Sequence, residues 1–317
     1  MDNEPGTPTT QELLDMLGPQ HPGVVRSQAF TQLFDRFDPD DFSDTAIARG
    51  LLRFAVTYNK ASLPLLTLRD YFDTLEDYGS ALLAQGCLEI QAGSYGDAAK
   101  HLNRAHDQNP DNVLVALAWV RALGGEHSYR AAESIIKETL NVVVAQNDPY
   151  GADNWYTEWL EQLGDQERYR EGLAVAQQGK VLLDDMTAHS QQTVVELPSL
   201  RFCTEAAYCA HMLDDLDTAI HWDEEAVRRE DVEAPQYRNL ANMYLRRGWR
   251  IGKAFRLYRL AGKLDGHMAS NMDHLASAMV HVALVGPLDV VNRVLDKLAP
   301  IPPPPTKTII QPPSRKR

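Results

Sequence analysis

Apolar and polar positions alternate along this chain at helical rather than strand spacing. The pattern is clearest in residues 79–112. There Leu82, Gly86, Ala98, Leu102 and Ala105 are apolar or small, Tyr95 opens the second half, and Pro110 closes the stretch. Two antiparallel helices approach closely only where small residues cross. Gly86, Ala98 and Ala105 therefore mark the crossing, and Leu82, Tyr95 and Leu102 fill the space that remains. Pro110 ends the second helix, because it has no backbone N–H to donate to the preceding turn.

The spacing recurs in five further stretches. In 113–146 it falls on Ala116, Val120, Leu123, Tyr129, Ala132 and Ile136, and in 153–186 on Tyr156, Leu160, Leu163, Tyr169, Gly172 and Ala176. A polar insert over about 187–199, containing Pro198, interrupts the series. It resumes in 200–233 (Cys203, Ala207, Ala210, Leu216, Ala219, Ala226), in 234–268 (Tyr237, Ala241, Tyr244, Ala254, Tyr258, Ala261) and in 272–305 (Leu275, Met279, Val282, Leu288, Val291, Leu295, Leu298). A unit of this kind cannot bury its apolar face alone and needs stacked copies. Upstream, Thr9 with Glu12 forms a capping box for a helix over about 10–17. A second helix is expected over about 24–37, with Val24, Val25, Phe30, Leu33, Phe34 and Phe37 on its apolar side. Helices at about 44–58 and 65–77, on either side of Pro64, read as a degenerate hairpin covering the end of the stack.

This pattern resembles the tetratricopeptide repeat (TPR), W-x2-L-G-x2-Y, then A-x3-F, then P, with a 34-residue period. Leu82 stands at the Trp position, Gly86 on the Gly, Ala98-x3-Leu102 on A-x3-F, and Pro110 on the Pro. The Trp is missing from every unit, and Asp223 stands where an aromatic is usual. The resemblance implies an all-α, TPR-type α-solenoid, a right-handed superhelix of antiparallel helix pairs with an N-terminal helical cap. The expected organisation is a partly disordered segment 1–42 with short helices, a cap over 43–78, the solenoid over 79–305 and a Pro-rich, basic tail at 306–317.

Composition narrows the function. Apolar residues are 44% and charged residues 24%, the balance of a soluble globular protein, and aromatics are only 8%, which disfavours a β fold. The start, MDNEPGTPTT, has no basic region followed by an apolar core, so no signal peptide is expected. Three cysteines (Cys87, Cys203, Cys209) without a C-x-x-C pair predict neither a disulfide framework nor a zinc site, and point to a reducing, cytoplasmic setting. A net charge of −13 disfavours general binding to nucleic acid or anionic membrane. The acidic run DRFDPDDFSD lacks the Gly and Glu of a calcium loop, whose places counted from Asp38 hold Ser43 and Arg49; it reads as a turn and N-cap. His267, His274 and His281 recur every seven residues. Two helical turns, about 10.5 Å, separate neighbours, too far for one metal ion. No phosphate-binding, dinucleotide or hydrolase motif is present, and no catalytic residue, cofactor or metal is expected. In the tail, Pro302 to Pro305 enforce polyproline II, and Pro302-x-x-Pro305-x-Lys307 has the form of an SH3 ligand.

Charge supplies the candidate site. From Ala234 to Leu264 the cations are Arg238, Arg246, Arg247, Arg250, Lys253, Arg256, Arg259 and Lys263, with no Asp or Glu between. These eight carry +8 of a total of −13, so the remainder sums to −21. Arg238, Asn242 and Arg246 fall at i, i+4 and i+8, one stripe of a helix. The TPR resemblance places first helices along the groove that receives partner peptides. It implies that Arg201, Thr204, Tyr208 and His211 join this wall, and that Arg256, Arg259 and Lys263 face the convex side. Arg238 with Asn242 looks like the basic residue and Asn with which TPR chaperone adaptors hold a C-terminal carboxylate. Ser277 stands where those adaptors place a second Asn, so the full clamp is absent. Tyr237, Tyr244, Trp249, Phe255 and Tyr258, interleaved with the charges, fall mostly on repeat anchors and are expected in the core. The expected function is a non-catalytic adaptor, scaffold or assembly chaperone that takes an acidic segment of a protein partner. The alternatives are a regulatory module that binds a small peptide signal and a non-catalytic subunit of an enzyme complex.

Overall fold

Several of the helices start where a side chain takes up the first orphan N–H groups. In the computed structural model Asp77 accepts from the Ser80 N–H, Asn112 from those of Leu114 and Val115, Asp148 from those of Tyr150 and Gly151, Ser199 from that of Phe202, and Asp215 from that of Thr218. The structure describes residues 8–18, 21, 23–58, 62–188, 197–229, 232–247 and 251–265. Among these, the regular structure is helical: α1 (Thr10–Met16), α2 (Gly23–Arg36), α3 (Thr45–Tyr58), α4 (Ser62–Thr74), α5 (Tyr78–Gln91), α6 (Tyr95–Gln108), α7 (Val113–Gly125), α8 (Tyr129–Ala145), α9 (Pro149–Asp165), α10 (Tyr169–Ala188), α11 (Leu200–Met212), α12 (Leu216–Ala226), α13 (Ala234–Arg247) and α14 (Ile251–Asp265). A single 3-10 turn at Phe42–Asp44, capped by Asp41, occupies the acidic run. The stretch 272–305, the three spaced histidines, Trp249, Arg250 and the tail lie outside the described residues.

Two boundaries differ from the sequence reading. α9 begins at Pro149, four residues before the expected 153, because Asp148 caps it and Pro at the first position leaves no orphan N–H. Pro64 lies inside the first turn of α4 rather than between helices, since first-turn N–H groups have no partner within the helix to lose.

The chain divides into two compact units, Met1–Gln166 with Gln177–Leu197, and Glu167–Ala176 with Pro198–Arg317. In the first, α5 pairs with α6 and α7 with α8, while α6 packs on α7 and α8 on α9. Gly86 sets the crossing of α5 and α6: a Cβ there would stand 2.5 Å from Cγ of Leu102, itself fully buried. Between α5 and α6, α7 and α8, α9 and α10, and α11 and α12 the chain turns through a left-handed residue at the same position of the unit: Gly93 (φ 75°), His127 (60°), Glu167 (57°) and Asp214 (59°). At the other end α4 packs on α5, as an end cover should. α3 does something else. It lies against the first helices α5 and α7, and Arg121 of α7 holds its C-terminal turn through the carbonyls of Val56 (2.5 Å) and Thr57 (3.4 Å). In the second unit α11 pairs with α12 and α13 with α14, and α12 packs on α13. Its core gathers Ala210, Ala219, Tyr237, Ala241, Tyr244, Ala254, Tyr258 and Ala261. Tyr237, Tyr244 and Tyr258 are thus core, while Phe255 is partly exposed.

Candidate partner-binding face

The repeat lets equivalent positions be compared. Leu83 and Cys87 of α5 correspond to Leu117 and Arg121 of α7, to Thr204 and Tyr208 of α11, and to Arg238 and Asn242 of α13. In the first unit these positions are closed: Leu83, Cys87 and Leu117 are 2%, 6% and 4% exposed, with α3 lying over their helices. In the second unit they are open. Tyr208 is 44% exposed, Asn242 is exposed, and Thr204 and Arg238 are half-buried. Thr204, Tyr208, Arg238 and Asn242 at these positions are four of the seven residues singled out in the sequence.

Arg246 donates from Nη2 to Oδ1 of Asp214 at 2.8 Å and from Nη1 to Nδ1 of His211 at 2.8 Å. Burial, with the Arg246 cation beside it, pushes the His211 imidazole below its usual range, so at neutral pH it stays uncharged and accepts this bond. Arg238 pairs with Asp265 of α14 at 2.5 Å. The Tyr258 hydroxyl donates to Oδ1 of Asn242, a bond that does not use that side chain's two N–H donors. Thr204 donates to the Leu200 carbonyl at 2.9 Å. Tyr208 stands edge-on to Tyr169, ring centroids 5.9 Å apart. Arg201 lies exposed in the first turn of α11.

The stretch 234–264 is free of acids in sequence but not in space. Arg238, Arg246 and Arg247 meet Asp265, Asp214 and Asp217 at sequence separations of 27, 32 and 30 residues. Local composition could not show this, because the acids arrive from the α11–α12 turn, the first turn of α12 and the end of α14. Sequence reasoning also missed Met212. It is 45% exposed and one helical turn beyond Tyr208, so the two form an apolar strip beside the cations. The i, i+4 spacing of two large apolar residues was the available signal.

The other candidate groups are placed plainly. Cys87, Cys203 and Cys209 are buried and outside any disulfide, and burial pushes the thiols of Cys87 and Cys209 up to about 12 and about 11, so neither forms a thiolate nucleophile near neutral pH. Among the described residues no three His, Cys, Asp or Glu side chains gather in a metal-ligating group. No helix among them is long and apolar enough to cross a membrane.

No protein-family profile matches the chain, and no curated protein matches it in sequence. Solved structures do. Yeast Tom70, a TPR protein, is similar over 93% of this chain and 69% of its own, at 14% identity and a TM-score of 0.56. A tetratricopeptide repeat protein from Parabacteroides merdae ATCC 43184 matches over 81% of this chain and 92% of its own, at 13% identity and a TM-score of 0.48. The paired helices, the left-handed residue shared by four of the turns, and the likeness to Tom70 agree: the chain has the fold of the tetratricopeptide-repeat proteins.

Proposed function

We propose that this protein is a non-catalytic protein-binding adaptor, scaffold or assembly chaperone, and that it takes an acidic partner segment across α11 and α13. The observation that carries the reading is the contrast between units. The first-helix positions that are closed in one unit, where α3 lies against the helices, are open in the other at Tyr208 and Asn242, and Met212 and Arg246 stand exposed one turn further on. A bound segment would lay an apolar side chain on Tyr208 and Met212. Its carboxylates would share Arg238 and Arg246, each of which carries five N–H donors and uses only some of them within the chain. Asp214 and Asp265 hold the two guanidinium groups in place beforehand, which lowers the entropy lost on binding. A micromolar complex corresponds to about −8.2 kcal/mol. Two charge-assisted bonds at roughly 1.5–3 kcal/mol each, with one buried aromatic contact, come within reach of it. Three buried cysteines outside any disulfide fit a reducing compartment.

The test is a pull-down with the full chain and with Arg238→Glu/Arg246→Glu and Tyr208→Ala, after circular dichroism has shown that helicity is kept. The expected result is loss of the same partner from both variants, with affinity falling as salt rises, because such attraction is screened beyond about 8 Å at physiological ionic strength. An unchanged partner set in both variants would refute the assignment to this face.

A further inference from the structure

A second surface, on α14, stands apart from the face just described. The outward positions of the second helices can be aligned through the repeat. They are Lys100, Asn103 and Asp107 in α6; Ser134, Lys137 and Asn141 in α8; Ala174, Gln177 and Val181 in α10; and His221, Glu224 and Arg228 at α12. At neutral pH the first, third and fourth of these sets sum to zero and the second to +1, whereas α14 places Arg256, Arg259 and Lys263 there, a sum of +3. All three are exposed. Arg238, Arg246 and Arg247 of α13 each hold an acid. Arg256, Arg259 and Lys263 meet no acidic partner within ion-pair distance among the described residues. In a chain of net charge −13, a cationic row of this kind on one outer helix is a local exception. Lys253, near the start of α14, instead leans over the Tyr244 ring at 5.8 Å.

We propose that the α14 row is a docking surface for a short acidic segment of a protein partner, separate from the α11–α13 face. Arg256, Arg259 and Lys263 fall at i, i+3 and i+7, on one side of the helix and about 10.5 Å long at 1.5 Å per residue. An extended chain advances about 3.3 Å per residue, so a run of about four residues spans the row. Two guanidinium forks and one ammonium group then meet two or three carboxylates. The partner is an acidic peptide rather than nucleic acid, because a long polyanion would extend beyond this short row into the surrounding negative field of the chain.

The experiment uses the full chain and a fluorescein-labelled hexaglutamate peptide, read by anisotropy at low and at physiological salt. The expected result is saturable binding that weakens with salt. Arg256→Glu/Arg259→Glu/Lys263→Glu should weaken it by about tenfold or more, since attractive pairs become repulsive ones. Because the α11–α13 face would take an acidic segment too, that comparison is made in the Arg238→Glu/Arg246→Glu background, where saturable binding by the α14 row should persist. The α14 residues are exposed and carry no ion pair among the described residues, so circular dichroism should show unchanged helicity. No saturable binding by the parent chain overturns the proposal. So does loss that follows Arg238 and Arg246 instead, which leaves the α11–α13 reading standing. A thymidine hexanucleotide that binds the α14 row more tightly than the peptide makes it a nucleic-acid surface and overturns the proposal. Sedimentation showing self-association that the triple variant abolishes makes the occupant a second copy, and overturns it likewise.

Discussion

Arg121 donates from Nε to Oε2 of Glu158 at 2.9 Å, and the Glu158 side chain is only 2% exposed. The same guanidinium caps the last carbonyls of α3, which have no partner within that helix. One residue thus joins α7, α9 and α3, and keeps α3 lying on the first helices of its unit. Removing one member of a buried pair strands the other, at a cost of about 3–5 kcal/mol. Arg121→Met should therefore lower unfolding stability by that amount and release amide-exchange protection across residues 45–58. Arg121→Met/Glu158→Leu should recover most of the loss, because no charge is left buried. A single variant within about 1 kcal/mol of the parent, with α3 still protected, would show that apolar contacts alone hold α3.

Gly86 and Leu102 form the other tight relationship. The Leu102 side chain fills the space a Cβ on Gly86 would need and, being buried, has nowhere to move. Gly86→Leu should overpack the crossing of α5 and α6 and cost on the order of 1–3 kcal/mol. Gly86→Ala/Leu102→Ala should be milder than the sum of its two single changes, since each makes room for the other. An unchanged denaturation midpoint for Gly86→Leu would mean that the two helices do not cross there.

Why the sequence revealed the helix pairs and hid the pairing of charges is visible at particular residues. Gly86, Ala98 and Ala105 act through spacing within one unit, so periodicity exposes them. Asp148-Pro149 was an equally local signal and fixes the start of α9. Arg121 was not legible in this way. Its partners lie 37, 64 and 65 residues away, and an Arg on a helix is ordinarily solvated. The same holds for Arg238, Arg246 and Arg247, whose acids come from other elements. The seven candidate residues of α11 and α13 were singled out because the repeat predicts a shared face, whereas the packing of α3 against α5 and α7 depends on contacts no period encodes.

The left-handed turn position offers a stabilising change. Gly93 occupies it without strain, but His127, Glu167 and Asp214 each hold a Cβ against the following carbonyl. Asp214 also binds Arg246, and the His127 ring meets the Tyr129 hydroxyl, so Glu167 is the cleanest site. Relief of strain worth about 1–2 kcal/mol, less the roughly 0.5–1 kcal/mol that glycine adds to the freedom of the unfolded chain, leaves a net gain. Glu167→Gly should raise the denaturation midpoint. A lowered midpoint would mean that the Glu167 side chain holds the turn.

Asp223 gives a dependence on pH with a definite sign. It stands in α12 four residues after Ala219, where two other units place Leu102 and Tyr258. The aromatic of this unit has moved one residue back: Trp222 is buried, its ring 5.7 Å from that of Phe202. Asp223 is left 5% exposed, and burial pushes its carboxyl up from 3.8 to about 7. Between those two values the folded chain binds a proton that the unfolded chain has released. Stability from this group is therefore fully present below about pH 4 and is lost as pH rises through about 7, by a few kcal/mol in all. Asp223→Asn cannot ionise. Its stability should match the parent's near pH 4 within about 1 kcal/mol and exceed it progressively toward pH 8. Comparing the two chains at each pH cancels the titration of the histidines and surface carboxylates they share. The measurement is the denaturant midpoint by far-ultraviolet circular dichroism at a series of pH values. If the parent and Asp223→Asn differ by the same amount throughout, the carboxyl is ionised in the folded protein across the whole range and burial does not control it.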